Sequence, residues 1–201
     1  QHEGHDGGHH VVGDARAAQG HGVHHARVQV PSIGASRQLV YTDASIRRSR
    51  GGVGALWLAP DRQSSLAARV AEHHDINRLE MMAILLGLLF SEPSHDLLVL
   101  TDSQASLGQV RRATRDKYGG LAACIHHLRR ARAAPTSFQW VKAHKGEPGN
   151  EAADALAKRG GEHRGVVLPL PDSLGRDPRT MLMTFLEVAE VDRSLTLLAD
   201  E

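Results

Sequence analysis

The chain has 201 residues, of which 41% are hydrophobic and 23% are charged, a composition that suits one globular domain with tails. Its formal net charge of +1 does not by itself indicate nucleic-acid binding. Whether the chain has a basic surface for nucleic acid therefore depends on how the charges are distributed along it. The single cysteine, Cys124, excludes an internal disulfide framework and a Cys-rich zinc site, and favours an intracellular, reducing compartment, either nucleus or cytoplasm. No apolar run is long enough to span a membrane and no signal peptide is recognisable, so we expect a protein without membrane association.

The N-terminal segment, residues 1–36, is rich in histidine and glycine and has little apolar periodicity. Such a segment buries too little surface to offset the entropy of ordering it, so we predict disorder. A metal-binding histidine tract is the alternative, and it lacks helix or strand context. Gln1 in the place of Met favours a processed chain or a piece of a longer polypeptide. We therefore expect either a monomer or a domain of a larger polypeptide.

Order is predicted to begin with three strands in succession. Residues 38–42 form a short apolar strand that we expect to end at Asp43, and residues 43–52 form a basic turn that contains glycine. Residues 53–59 predict a second strand. In residues 66–70, apolar side chains alternate with small or polar ones and predict a third. The expected arrangement is an antiparallel meander.

A helix and a buried strand follow the meander. Residues 77–90 carry apolar side chains at helical spacing, and Glu80 lies beside that stripe, where its burial requires a compensating cation or hydrogen bond. Residues 97–100 are continuously apolar, as in a strand covered on both faces, and Asp102 follows this strand. Helices are predicted over residues 104–112 and 121–132.

The last part of the domain reads as strand, loop and helix. Alternation over residues 136–141 predicts a strand, and the Gly- and Pro-bearing loop 142–149 contains His144. Asn150 is expected to cap the next helix, which carries Asp154 and is predicted to end at Gly160-Gly161. Beyond it, residues 164–201 are expected to form a Pro-bearing linker and an amphipathic helix over 180–199.

These elements predict an α/β domain over residues 37–163, with a mixed five-stranded sheet flanked by helices. The sheet would combine the three-stranded antiparallel meander with two parallel strands. If the strands before Asp43 and Asp102 pair in parallel, a right-handed crossover through the Glu80 helix joins them. Both aspartates would then lie at the carboxyl edge of the sheet, where open sheets place their sites.

The same topology could gather four carboxylates, those of Asp43, Glu80, Asp102 and Asp154. Two like charges about 4 Å apart repel by about 4 kcal/mol at an effective dielectric of 20, so such a cluster needs cations. Oxygen ligands without cysteine favour Mg²⁺ or Mn²⁺ over Zn²⁺. Two ions about 3.5 to 4 Å apart can clamp the attacking and leaving oxygens of a phosphodiester. The chemistry indicated is phosphodiester hydrolysis.

The four carboxylates lie in four blocks of sequence: Tyr41-Thr-Asp-Ala-Ser, Asn77-Arg-Leu-Glu-Met-Met-Ala, Leu100-Thr-Asp-Ser-Gln-Ala, and Trp140-Val-Lys-Ala-His continued by Gly149-Asn-Glu-Ala-Ala-Asp-Ala-Leu-Ala. These blocks resemble those of the type-one ribonuclease H family, in the family's order. The resemblance covers about residues 37–163, and a ribonuclease H-like fold is what it implies. The closing block is most similar to those of eukaryotic and retroelement-encoded members.

The resemblance implies cleavage of the RNA strand of an RNA/DNA hybrid, with 3′-hydroxyl and 5′-phosphate products and two Mg²⁺ ions that Mn²⁺ can replace. Asp43 would bridge both ions, Asp154 would complete the site of the nucleophilic water, and Glu80 with Asp102 would hold the second ion. His144 would assist proton movement or product release. Asn77 and Gln104 match positions that contact the sugar edges of the hybrid.

The chain departs from the family pattern around the loop histidine and the Glu80 helix. Ala143 stands where glycine is common, Lys145 where a small polar residue is usual, and Ile76 where a polar residue is frequent. The extra basic helix that some members use as a substrate handle is missing. A basic face beside the carboxylates could replace it. Its predicted members are Arg111, Arg112, Arg115, Lys117, Arg129, Arg130 and Arg132, against Asp116 alone.

Three function classes remain open from the sequence. The first is a hybrid ribonuclease, either free-standing or excised from a reverse transcriptase polyprotein. The second is another polynucleotidyl transferase, such as a resolvase or integrase, which the histidine loop and the Asn150–Asp154 helix disfavour. The third is a catalytically silent nucleic-acid-binding module, which the presence of all four carboxylates disfavours.

Overall fold

The computed structural model describes residues 33–70, 75–112, 119–143, 145–162 and 167–168, together with residues 177, 179–180, 182–184 and 187. The described residues up to Leu168 form six strands and four helices. They are β1 (Arg37–Arg47), β2 (Arg50–Leu58), β3 (Gln63–Val70), α1 (Ile76–Leu89), β4 (Asp96–Thr101), α2 (Gln104–Arg112), α3 (Gly119–Ala131), β5 (Thr136–Trp140), α4 (Pro148–Glu162) and β6 (Val167–Leu168). No helix within these ranges is long and apolar enough to cross a membrane.

The strands form one mixed sheet in the order β5-β4-β1-β2-β3-β6. The meander β1-β2-β3 is antiparallel, and β4 pairs in parallel with both β1 and β5, which confirms the predicted arrangement. The sheet has six strands rather than five, because Val167 and Leu168 pair in parallel with Arg69 and Val70 at the edge of β3. Two residues without strong alternation gave no strand signal in the sequence.

Strand β1 continues through Asp43 and ends four residues later, so the prediction that Asp43 ends the strand is wrong. Its parallel pairing with β4 stops at Tyr41, opposite Leu100, whereas its antiparallel pairing with β2 continues to Arg47. Asp43 therefore lies inside β1, opposite Gly54, and just beyond the end of the parallel ladder. The predicted ten-residue turn shrinks to Arg48 and Ser49.

Helix α1 lies at the centre of the core. Asp75 caps it, with a side-chain oxygen that accepts a hydrogen bond from the backbone N–H of Arg78 at 3.4 Å. Every residue from Leu79 to Leu88 is buried, because α1 contacts β1 and β2 on one side and α2 and α3 on the other. The predicted apolar stripe thus extends round the helix, and Glu80 is buried with it.

Helix α4 covers the other face of the sheet, and both of its ends differ from the prediction. It begins at Pro148, a residue well suited to the first helical position, so Asn150 lies inside the helix instead of capping it. It also passes through Gly160 and Gly161 to Glu162. A Cβ on Gly160 would lie 2.5 Å from the carbonyl oxygen of Ala68 in β3, so this glycine allows close helix–sheet contact and does not end the helix.

Two leucines beyond residue 163 belong to the main hydrophobic core. Leu168 is 2% exposed and Leu182 is 8% exposed, and both pack in the cluster that contains α1. Residues 179–180, 182–184 and 187 are helical, which agrees with the predicted C-terminal helix where the chain is described. The rest of that helix, and residues 1–32, lie outside the described residues.

A chain shortened to residues 37–163 is expected to fold and keep its activity but to lose stability. Removing Leu168 and Leu182 forfeits about 1.5 to 3 kcal/mol for each buried side chain. Urea unfolding of this fragment and of a longer fragment, residues 37–187, measures the difference. A fragment as stable as the longer chain would mean that the two leucines contribute nothing, and an unfolded fragment would make the C-terminal region essential.

Candidate active site

Three acidic side chains from separate elements meet at the carboxyl edge of the parallel strands. Asp43 comes from β1, Glu80 from the first turns of α1, and Asp102 directly follows β4. One carboxylate oxygen from each lies within 4.8 Å of the others. Asp43 and Glu80 are each 6% exposed, whereas Asp102 is partly exposed. The parallel register of β1 and β4 brings the two aspartates together, and the crossover helix adds Glu80.

Burial and mutual repulsion disfavour the charged forms of these groups. Burial, together with the charge of Asp102, raises the pKa of Asp43 to about 7, even though the Ala44 N–H donates to its Oδ1 at 2.8 Å. Burial, followed by the charges of Asp43 and Asp102, raises the pKa of Glu80 well above its usual value. Carboxylates that resist ionisation at neutral pH require a cation to be fully charged.

The donor atoms of this carboxylate triad, Asp43, Glu80 and Asp102, fit a hard divalent cation. Oε2 of Glu80 is buried and has no hydrogen-bond partner among the described residues, which is costly unless an ion satisfies it. All three side chains offer oxygen, and Mg²⁺ and Mn²⁺ prefer oxygen ligands. The triad is therefore a candidate metal centre.

Asp154, the fourth predicted carboxylate, is close to the triad but is not part of it. Its Oδ2 accepts a hydrogen bond from Nζ of Lys158, one turn further along α4, and the pair is partly exposed. After burial and Asp102, the charge of Asp154 also contributes to the raised pKa of Asp43. The structure thus brings three of the four predicted carboxylates together and leaves Asp154 paired with Lys158.

The predicted substrate contacts flank the triad at the starts of two helices. Asn77 lies in the first turn of α1, one turn before Glu80, and Gln104 begins α2, two residues after Asp102. The Ser106 hydroxyl donates to the Asn77 carbonyl oxygen at 3.3 Å and ties the two helix starts together. Gln104 is exposed and Asn77 is partly exposed, so both are accessible to a ligand.

The predicted basic face is narrower than the sequence suggested. Arg111, Arg112, Arg129 and Arg130 are exposed, as expected. Of the described members, only Arg132 leaves this face, because it is partly buried and donates to the backbone carbonyls of Ser91, Glu92 and His95. Arg129 stays exposed while its guanidinium lies 5.9 Å from the centre of the Phe138 ring. These two arginines have structural contacts that charge counting could not foresee. Arg115, Asp116, Lys117 and the loop residue His144 lie outside the described residues.

Two residues that hold Asp102 were missed as site residues. Asn150 is 2% exposed and its Nδ2 donates to Oδ2 of Asp102 at 3.0 Å. Trp140 is 41% exposed, and its indole N–H donates to the backbone oxygen of Asp102 at 3.0 Å. The spacing of Asn150 and Asp154 was the available signal, because residues four apart share a helix face. Oδ1 of Asn150 is buried without a partner among the described residues.

We expect Asn150→Ala to reduce phosphodiester cleavage by about 10- to 100-fold, as is typical when the partner of a metal-ligating side chain is lost. Loss of the Nδ2 donor frees Asp102 to rotate away from the triad. Single-turnover cleavage at several Mg²⁺ concentrations measures the effect, and excess Mg²⁺ should restore part of the rate. Glu151→Gln, an exposed neighbour on α4, is the control. Equal cleavage rates for both variants would show that Asn150 does not support the metal site.

The fold and the triad together define a class: hydrolases of phosphodiesters that hold divalent cations with carboxylates at a sheet edge. The RNase H family model matches residues 35–162, which is more than half of the chain. The chain therefore belongs to the ribonuclease H family of RNA/DNA-hybrid endoribonucleases, as the four sequence blocks predicted.

Individual relatives agree with this assignment. Ribonuclease H of Alcanivorax borkumensis is 33% identical over 136 residues, which cover 61% of this chain and 89% of that protein. Ribonuclease HI of Pseudomonas aeruginosa is 29% identical over 136 residues, covering 61% of this chain and 91% of that protein. The crystal structure of RNase H1 from the halophilic archaeon Halobacterium salinarum superimposes with a TM-score of 0.53 at 22% identity, over 62% of this chain and 96% of that one. This last likeness confirms the ribonuclease H-like fold.

Proposed function

We propose that this protein cleaves the RNA strand of RNA/DNA hybrids internally, with two divalent cations, and leaves 3′-hydroxyl and 5′-phosphate ends. The observation that carries the proposal is the convergence of Asp43, Glu80 and Asp102 within 4.8 Å in a chain of this family. Mg²⁺ is the proposed ion and Mn²⁺ the proposed substitute, because the ligands are carboxylate oxygens.

The triad and Asp154 are the proposed metal ligands. When bound, divalent cations lower the pKa of an attacking water and stabilise the negative charge that develops on the phosphodiester oxygens. The protein holds the ligands in place: the Ala44 N–H donates to Asp43, and Asn150 donates to Asp102. To bind an ion, the Asp154 carboxylate would have to give up its hydrogen bond with Lys158.

Proton transfer and substrate selection are assigned to other side chains in this proposal. His144 is the proposed proton carrier, since an imidazole changes charge near neutral pH. Asn77 and Gln104 offer amide groups that can both donate and accept, which suits hydrogen bonds to sugar and base edges. Arg111 and Arg112, exposed at the end of α2, are proposed phosphate contacts.

The test is cleavage of end-labelled duplexes in Mg²⁺, with an RNA/DNA hybrid beside single-stranded RNA, double-stranded RNA and double-stranded DNA. Cleavage confined to the hybrid, lost in EDTA and restored by Mg²⁺, supports the proposal. Extension of the products by a polymerase tests for the 3′-hydroxyl. Cutting of the DNA duplex would favour another polynucleotidyl transferase, and binding without cutting would indicate a silent module.

A further inference from the structure

The hairpin between β1 and β2 ends in a cluster of arginines that the triad does not use. Its tip is Arg47-Arg48-Ser49-Arg50, and all four residues are exposed. We call these four residues the arginine hairpin. In the sequence they were only part of a basic turn, because β1 was expected to end at Asp43. In the structure Arg47 ends β1, the strand that carries Asp43, Arg48 and Ser49 form the turn, and Arg50 begins β2.

The backbone of this turn is unfavourable for the residues that occupy it. Arg48 has φ of 49° and Ser49 has φ of 62°, and no other described non-glycine residue has a positive φ. A two-residue hairpin loop with both central residues at positive φ strongly prefers Asn-Gly, which adopts this conformation at little cost. Arginine and serine therefore stand where asparagine and glycine would make a more stable turn.

The charges of the arginine hairpin also oppose folding. Arg47 and Arg50 are direct cross-strand partners, and like charges in that position repel. Glu162 approaches Arg47 at 3.9 Å, but both side chains are more than half exposed, so this pair offsets little. The turn thus loses stability twice, through its positive φ angles and through the repulsion between its arginines. Residues that cost stability in this way are expected to serve binding, and clustered arginines are well suited to bind phosphate groups.

The arginine hairpin lies within reach of a duplex that occupies the triad. Arg47 follows Asp43 by four residues on the same strand, so its side chain lies on the same face of the sheet, about 14 Å further along β1. At about 3.4 Å per nucleotide, that distance corresponds to about four nucleotides of a nucleic-acid strand. The hairpin is therefore distant from the scissile bond but close enough to touch the same duplex.

We infer that the arginine hairpin binds the phosphate backbone of the RNA/DNA hybrid about four nucleotides from the cleavage site. The inference rests on the proposed function, since it takes the triad as the point of cleavage. It gives the chain a substrate handle on the sheet, where some family members use an added basic helix. The contact is with phosphates, so it strengthens binding without reading base sequence.

The decisive variant is Arg48→Asn/Ser49→Gly, which improves the turn while it removes one charge. We expect its Tm to rise, its affinity for hybrid to fall about threefold, and the slope of log K against log salt to shrink by about 1. Ser49→Gly alone should raise Tm and leave affinity unchanged, because it keeps every arginine. Arg62→Gln, at the exposed β2–β3 turn, removes a charge at the opposite end of β2 and should leave the slope unchanged.

Binding is measured by fluorescence anisotropy in EDTA, so that cleavage does not interfere, on a 20-base-pair hybrid at several salt concentrations. The triple variant Arg47→Gln/Arg48→Gln/Arg50→Gln should shrink the salt slope by about 2 to 3. A slope equal to that of the parent, with the Arg62→Gln control also unchanged, overturns the inference. If the parent cuts no hybrid, the proposed function fails, but a smaller slope on the duplex that it binds would still support phosphate contact by the hairpin.

Discussion

Replacing Gly54 by alanine is expected to lower Tm by about 10 °C, or about 3 kcal/mol, the upper part of the usual range for overpacking. A Cβ at this position would lie 2.8 Å from Cβ of Leu156, and closer still to the backbone oxygen of Ala153 and nitrogen of Ala157. Backbone atoms cannot rotate out of the way, so α4 would have to move off β2. Because Gly54 lies opposite Asp43, the displacement would also carry Asp154 away from the triad.

The matched control is Gly108→Ala, the same chemical change in a different place. Gly108 lies in α2, and the nearest atom to an added Cβ is the end of the Arg112 side chain at 3.7 Å. Alanine there should stabilise the helix by about 0.5 to 1 kcal/mol. Thermal unfolding of the two variants should therefore shift Tm in opposite directions. A Gly54→Ala protein as stable as the parent would show that α4 can move off the sheet at little cost.

The sequence predicted the sheet and the triad because both depend on short-range patterns that the fold preserves. Alternation and apolar runs identified β1 to β5, and the right-handed crossover rule placed Asp43 and Asp102 at one edge. Glu80 was recognised because a carboxylate beside an apolar stripe needs a partner. The exact end of β1 was not predictable, because its parallel ladder with β4 stops before Asp43 whereas its antiparallel ladder with β2 continues past it.

The ends of α4 were mispredicted because glycine and asparagine have more than one use. A Gly-Gly pair usually ends a helix, yet here α4 passes through Gly160 and Gly161, and Gly160 lets it approach the sheet closely. Asn150 is a preferred cap, yet its side chain donates to Asp102. These choices are decided by contacts between residues far apart in sequence, which local propensity does not contain.

One further contact shows what tertiary structure adds next to the histidine loop. The hydroxyl of Tyr41 in β1 donates to Oε1 of Glu147 at 2.6 Å, which ties the end of the loop to the sheet. Gly149 fits directly against the Tyr41 ring, where a Cβ would collide with it. Tyr41 and Glu147 are separated by 106 residues, so no sequence pattern could pair them.

Glu80→Gln is expected to reduce hybrid cleavage by at least about 10²- to 10³-fold, the loss typical when one group that stabilises developing charge is removed. Glutamine keeps the volume and one oxygen but removes a charge from the triad, so a cation should bind weakly there. Binding of hybrid should survive, because phosphate contacts lie elsewhere. Asp96→Asn, the same kind of change at the far end of β4, should cleave at the parent rate.

The same substitution should stabilise the protein in EDTA, in a pH-dependent way. A carboxyl whose pKa is raised on folding, such as that of Asp43 at about 7, holds a proton in the native state that the unfolded chain releases. Stability therefore falls as pH rises from about 4 towards 7. Removing the Glu80 carboxyl deletes one such group and lessens repulsion on Asp43. Above pH 7 the variant should exceed the parent by about 2 kcal/mol, or roughly 5 °C in Tm.

Two measurements test Glu80→Gln. Thermal unfolding of parent and variant in EDTA between pH 4 and 8 measures the gain in stability, and single-turnover cleavage in Mg²⁺ measures the loss of activity. The two Tm values should converge near pH 4, where both proteins are protonated, and separate as pH rises. Added Mg²⁺ should raise the Tm of the parent more than that of the variant, because a ligand that binds the native state stabilises it. A variant that cuts hybrid at the parent rate, with an unchanged response to Mg²⁺, would exclude Glu80 as a metal ligand and with it the triad as the catalytic centre.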